Sequence, residues 1–194
     1  MRTFVIRARK AHFKATVGKK EHVEIIAHTL ANAFYISNQL RNDVEVYVVL
    51  DSAADFPKTI KFSSNDGLSF PGFHEEAILG VVANALERGQ HVALGDVKWV
   101  APGIEVHGYG FDTLLKALQE SRAVYLLDNK GDDIRTQQFE SQGIFVLSDH
   151  IALPKKSVKG LERRGLKKIS LGKKVLFASQ CVVLVHNELD RQWG

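Results

Sequence analysis

Gly143-Ile144-Phe145-Val146-Leu147-Ser148-Asp149-His150-Ile151-Ala152-Leu153 is the stretch from which the rest of the chain is read. Its apolar run, Ile144 to Leu147, opens directly into Ser148 and Asp149, as a buried strand does when it ends in a polar loop. Two neighbours repeat the pattern. Ala123 to Leu127 exits at Asp128-Asn129-Lys130-Gly131, and Ile169-Ser170-Leu171 opens into Gly172-Lys173-Lys174. Loops beyond strand ends are where α/β proteins commonly present a ligand site. The closing segment, Val175 to Arg191, is apolar all round through Cys181 to Val185. Periodicity leaves helix and strand both open there; as a helix it is buried on several sides, inside the fold or in an oligomer interface.

Charge is distributed unevenly around this region. Nine Lys or Arg residues and one acid, Glu162, lie between Lys155 and Lys174, and residues 1–20 hold seven Lys or Arg and no acid. The remaining residues therefore carry −11 in a chain whose net charge is +4. Two basic segments on an otherwise acidic protein suit a phosphate-binding face, or else two solvated surfaces.

The composition excludes several classes. With 194 residues, 45% of them hydrophobic, the chain is expected to form one domain, residues 1–194, with a real core. One cysteine rules out an internal disulfide and a cysteine metal quartet, and eight histidines without close spacing argue against a metal site. The start, Met1 to Lys10, lacks a signal-peptide core, and no apolar run approaches membrane-spanning length, so a reducing, cytoplasmic setting is expected.

In chain order, Thr3 to Arg9 alternates as a strand. Val23, Ile26, Ala27, Leu30, Ala33 and Phe34 predict a helix from His22 to near Leu40, and His12 to Lys20 reads as a loop. Val44 to Leu50 and Lys58 to Ser63 are strands, and Asn65-Asp66-Gly67 suggests a hairpin into Leu68 to Phe70. Glu75 to Arg88 is a helix stopped by Gly89. The pattern from Val92 to His107 is ambiguous around a turn at Pro102-Gly103, and an amphipathic helix follows from Phe111 to Leu118. Alternating strands and helices predict an α/β sheet, largely parallel in its second half.

Chemical motifs are sparse. Gly108-Tyr109-Gly110 lacks the third glycine of a dinucleotide fingerprint, since Thr113 stands there, and Gly18-Lys19-Lys20 is no phosphate loop. Nothing matches a zinc-protease pair or a nucleophile elbow. Asp149 reads equally as half of an acid–base pair with His150 or as the cap of its turn. Cys181 reads as a small buried hydrophobe rather than a nucleophile.

Taken together, Phe4-Val5-Ile6-Arg7-Ala8, Phe34 to Ser37, Leu40 to Val44, Ile60 to Phe62, Pro102 to Ile104, Tyr125 to Leu127, Phe145 to Ile151, Ile169 to Leu171, Cys181 and His186-Asn187 are familiar in order and spacing. The chain resembles the SPOUT superfamily, specifically the archaeal tRNA pseudouridine N1-methyltransferases of the T-loop and their bacterial homologues. That resemblance implies a mostly parallel sheet flanked by helices, with a C-terminal trefoil knot that binds S-adenosyl-L-methionine, and a homodimer acting on RNA, expected to be tRNA. Composition would not suggest a knot, because knots are nearly absent from folds at large. The cofactor is expected at Leu127, Ser148, Leu171, Gly172, Lys173, Lys174, Val175, Leu176 and Cys181. Ser148 departs from the family's usual glycine, which matters if that position needs a positive φ. Asp149 is the candidate for orienting the base or accepting its N1 proton. Arg7, Lys10, Arg41, Lys155, Lys156, Arg163 and Arg164 are the candidate RNA contacts. Another RNA target, in rRNA or on a ribose hydroxyl, and a non-catalytic RNA-binding protein are the alternatives.

Overall fold

A computed structural model of the chain describes residues 1–9, 11, 23–37, 39–51, 53, 57–140, 142–149, 151 and 153–193. Lys10, the polar stretch 12–20 and His150 lie outside them. Among the described residues the strands are β1 (Arg2–Ala8), β2 (Tyr35–Ile36), β3 (Gln39–Leu40), β4 (Val44–Leu50), β5 (Lys58–Ser63), β6 (Val97–Ala101), β7 (Ile104–His107), β8 (Val124–Asp133), β9 (Ile144–Ser148) and β10 (Lys167–Ser170). The helices are α1 (Glu24–Phe34), α2 (Glu75–Arg88), α3 (Phe111–Gln119), α4 (Lys155–Glu162) and α5 (Ala178–Trp193).

Eight strands form one sheet in the order β10-β8-β9-β1-β4-β5-β7-β6. β10, β8, β9, β1 and β4 are parallel, and β5, β7 and β6 continue the sheet antiparallel. Period-two alternation divides the side chains. Phe4, Ile6, Val46 and Val48 pack with α1, α2 and α5 on one face, whereas Val5, Tyr47 and Val49 pack with Phe111, Leu114 and Leu115 of α3 and Leu161 of α4 on the other. Several polar residues on the α3 face pair with one another. Glu45 accepts from Thr3 Oγ1 at 3.1 Å and pairs with Arg122 at 3.3 Å, while Lys61 bridges Glu45 and Glu105 at 3.5 and 3.3 Å.

The local departures from sequence expectation have local causes. α1 ends at Phe34 rather than near Leu40, because aromatic Tyr35 and β-branched Ile36 pair with Leu40 and Gln39 in a small hairpin, closed by Arg41 N–H on Phe34 O at 2.7 Å. Asn65 and Asp66 form a 3-10 turn ended by left-handed Gly67, but no strand follows; β5 takes β7 as its partner instead. The ambiguous 92–107 stretch becomes the β6–β7 hairpin, whose turn needs Gly103: it has φ 68°, and a Cβ there would lie 2.6 Å from Ser63 O. The undecided tail is helix α5, which presents Val182, Val185 and Leu189 to α1 and the sheet.

β10 meets β8 in two separate places. Lys167 and Lys168 pair with Tyr125 and Leu126, and then Ile169 and Ser170 pair with Asp132 and Asp133. Residues 127–131 thus form an arm of β8 that is unpaired with β10 between the two pairings. The approach is close, because a Cβ on Gly131 would lie 2.5 Å from Ile169 N and 2.6 Å from the Lys168 carbonyl carbon.

Candidate functional site

Beyond the ends of the parallel strands β9 and β10, and beside the middle of β8, lies a cavity of about 340 Å³. β8 supplies Leu127, Asp128 and Asn129 from its arm, and β9 supplies Leu147 and Ser148. The loop after β10 supplies Leu171, Gly172, Lys174, Val175 and Leu176, and the first turns of α5 supply Ala178 and Cys181. Of the nine residues expected to meet a cofactor, eight share this wall. Lys173 does not, although Gly172, Lys174 and Val175 beside it in the same exposed loop do.

Each segment has a reason for its shape. Ser148 closes β9 and stands in ladder register with Arg7 of β1, so its backbone is extended and a Cβ costs nothing there. The glycine expected at that position is not required. Gly172 is the residue that needs its freedom: φ is +124°, and its N–H donates to Ser170 Oγ at 3.1 Å. The turn into α5 is tied by Gln180, whose Oε1 accepts from Phe177 N–H at 3.0 Å.

Asp149 lies on the cavity, but both its carboxylate oxygens are engaged. Oδ2 accepts from Arg9 N–H at 2.8 Å and Oδ1 from Ile151 N–H at 2.9 Å. The side chain therefore caps its own turn and ties the exit of β1 to that of β9. Cys181 is half-buried, and burial pushes its thiol pKa up to about 11, which makes it a protonated wall rather than a nucleophile. Leu153 and Val158 also line the cavity, and the sequence reading missed both. Val158 and Leu161, three residues apart in the basic segment, were the available sign that this segment is a helix with an inward side.

The charged candidates separate into two groups. Lys155, Lys156, Arg163 and Arg164 are exposed on α4 and just beyond it, on the outer side of a cavity wall. Their one acidic neighbour, Glu162, is occupied by Lys168 Nζ at 2.6 Å, so the outward charge of α4 stays positive. Arg41 and Arg7 do not join this surface. Arg41 sits at the opposite end of the sheet, clamped to both carboxylate oxygens of Asp190 at 3.0 and 2.7 Å. Arg7 is turned inward: Nε donates to Asp51 at 2.8 Å and the guanidinium lies 4.6 Å from the Phe111 ring centroid. Each of these two arginines, expected at RNA phosphates, is paired with a carboxylate within the fold.

The cavity suits a nucleoside-bearing cofactor in size and in chemistry. Leu127, Leu147, Leu171 and Leu176 offer apolar walls, and Asp128, Asn129 and loop backbone groups offer a polar rim. Among the described residues, no group of three His, Cys, Asp or Glu could hold a metal ion, and no helix is long and apolar enough to cross a membrane.

Comparison with known proteins agrees with this geometry. A family model described as "Putative SAM-dependent RNA methyltransferase" matches residues 1–193. A protein of Photobacterium profundum named "Putative pseudouridine methyltransferase" is 47% identical, with 98% of each chain covered. Proteins of the same name from Vibrio atlanticus and Shewanella baltica are 45% and 46% identical over the same share of each chain. Among solved structures, Nep1 of Archaeoglobus fulgidus, bound to S-adenosylhomocysteine, is similar in fold, with a TM-score of 0.57 at 18% identity. That similarity covers 94% of this chain and 75% of Nep1.

Proposed function

Because the chain belongs to the family of S-adenosylmethionine-dependent RNA methyltransferases and has the SPOUT fold, we propose that it methylates N1 of a pseudouridine in a tRNA loop. The observation that carries this reading is that one helix serves two surfaces: α4 lines the cavity with Val158 and presents Lys155, Lys156 and Lys159 outward. RNA phosphates bound along α4 bring a splayed-out loop base to the cavity mouth, which favours a looped RNA over a duplex. The near-full-length relatives named for pseudouridine support the choice of base.

S-adenosylmethionine, held by the eight wall residues named above, supplies a methyl group already activated on a sulfonium. The protein's work is then to hold donor and acceptor in line and to exclude water. Leu127, Leu171 and Leu176 exclude water, and Asp149 fixes the β1 and β9 exits against which the base stands. With both its oxygens engaged, Asp149 acts by position, and the N1 proton leaves to water. The unpaired arm 127–131 between two pairings with β10 supports a trefoil knot. Val175, Phe177, Val183 and Leu184, exposed by 90, 73, 46 and 41%, support burial of the start of α5 in a homodimer.

Labelled cofactor and tRNA transcripts with or without pseudouridine in the T-loop provide the test. Label is expected only in RNA carrying pseudouridine. Transfer to unmodified transcripts at an equal rate would refute the proposed base, and absence of cofactor binding would refute the whole reading.

Neutralising Lys155, Lys156, Arg163 and Arg164 together is expected to weaken RNA binding at least tenfold. The slope of log affinity against log salt should flatten by two to four units, since each lost phosphate contact removes roughly 0.7–0.9. S-adenosylhomocysteine affinity should change less than twofold. Filter binding across a salt series and calorimetry read the two quantities.

A further inference from the structure

Arg7 has a donor that the fold leaves unused. Its Nε is held by Asp51 and its face by Phe111, yet Nη1 is buried without a hydrogen-bond partner. Among the described residues only one other side-chain atom, Gln119 Oε1, is in that condition. A buried donor on a charged group is costly to leave unmade, and such groups often mark functional positions. The location is informative. Arg7 pairs in the β-ladder with Ser148, a cavity residue, so the two side chains project from adjacent strands on the α3–α4 face.

We propose that Arg7 is a catalytic residue: the target base inserts beside Ser148 and its C2 carbonyl oxygen, next to the reacting N1, accepts a hydrogen bond from Arg7 Nη1. The inference rests on the pseudouridine reading and gives it the proton chemistry it otherwise lacks. N1 is a weak acid whose conjugate base shares its charge with the C2 oxygen. A fixed guanidinium donor at that oxygen favours the anion in the way an oxyanion hole does. The N1–H bond breaks and the proton passes to water. The freed electron pair forms the N1–carbon bond, while the carbon–sulfur bond breaks with its pair retained on sulfur. Asp51 holds the guanidinium in register and, by partly neutralising it, limits how far the base is ionised before methyl transfer.

The test reads ionisation directly. An RNA stem–loop carrying one pseudouridine is bound to protein saturated with S-adenosylhomocysteine, and the ultraviolet difference spectrum of the bound base is followed against pH. Arg7→Met is expected to raise the apparent pKa of the bound base by at least one unit relative to wild type. Asp51→Asn, which leaves Arg7 unneutralised, is expected to lower it, so the proposal stands on a second variant if the first folds poorly. Single-turnover rates should follow, with a shifted pH profile and little change in RNA affinity for Asp51→Asn. A bound base that titrates at the wild-type pH in either folded variant overturns the assignment. Should wild type methylate RNA lacking pseudouridine equally well, the target reading falls and Arg7's role with it; should wild type require pseudouridine while the variants titrate normally, only Arg7's role falls.

Discussion

Gly131→Val is expected to abolish a stable folded state, at a cost of about 4 kcal/mol or more, against the roughly 5–15 kcal/mol that holds a typical domain together. The reason is the kind of atom the new side chain would meet. A Cβ at position 131 lies 2.5 Å from Ile169 N and 2.6 Å from the Lys168 carbonyl carbon, which are backbone atoms of β10 with no rotamer to escape into. Relief requires β10 to leave either Tyr125 and Leu126 or Asp132 and Asp133, and both pairings shape the cavity wall. Gly160→Ala is the control of opposite sign. Its Cβ meets nothing within 4 Å inside α4, so the exchange should stabilise by about 0.5–1 kcal/mol through backbone entropy. Thermal melts, with and without S-adenosylhomocysteine, read both. A Gly131→Val protein that melts close to wild type and still binds the ligand would refute the tight approach.

The second large effect is a loss of stability in mild acid, centred on His186. This residue of α5 is buried, with Nε2 donating to Ala33 O at 3.0 Å and Nδ1 accepting from Arg2 Nη1 at 3.2 Å. Both ring nitrogens are therefore committed to the neutral form. Burial, with Arg41 and Arg2 nearby, pushes the pKa down from 6.5 to about 4. The unfolded chain accordingly binds a proton more readily than the folded one between those values. Stability from this residue is complete above pH 6.5 and is lost as pH falls toward 4, by about 3 kcal/mol in total. In melting temperature that is a fall of roughly 6–12 °C. Gln in this position keeps one donor and one acceptor without a titrating ring. His186→Gln should thus flatten the melting temperature between pH 6.5 and 4.5, and an unchanged slope in that variant would assign the acid sensitivity elsewhere.

The sequence made the strands around the cavity legible because each holds a short, nearly continuous apolar run that opens into a polar stretch. Ile144 to Leu147 and Val124 to Leu127 needed no more than that. What it hid were relations between distant segments. Nothing in Asp128-Asn129-Lys130-Gly131 tells that β10 passes against Gly131, since the contact is made by residues about forty positions later. The charges of Arg7 and Arg41 were plain, but their partners Asp51 and Asp190 lie 44 and 149 residues away, so surface and interior arginines looked alike. Asp149 was balanced between two roles because a capping aspartate and a catalytic one occupy the same place after a strand. Only the positions of Arg9 and Ile151 N–H show both oxygens engaged. The tail was undecidable for a simpler reason: a segment covered on several sides loses the polar stripe that would reveal its period.

The position of β1 has a consequence for synthesis of the chain. One of its neighbours, β4, is complete at residue 50, and the other, β9, is not complete until residue 148. The antiparallel half, β4 to β7, closes by residue 107 from strands near one another in sequence. While the next forty residues are made on the ribosome, the nascent protein carries β1 as an open, apolar edge ready to accept any strand offered to it. Growing chains on one message present that edge side by side. Slow decoding between residues 107 and 144 should therefore favour aggregation, and chaperone occupancy of the emerging chain should peak there.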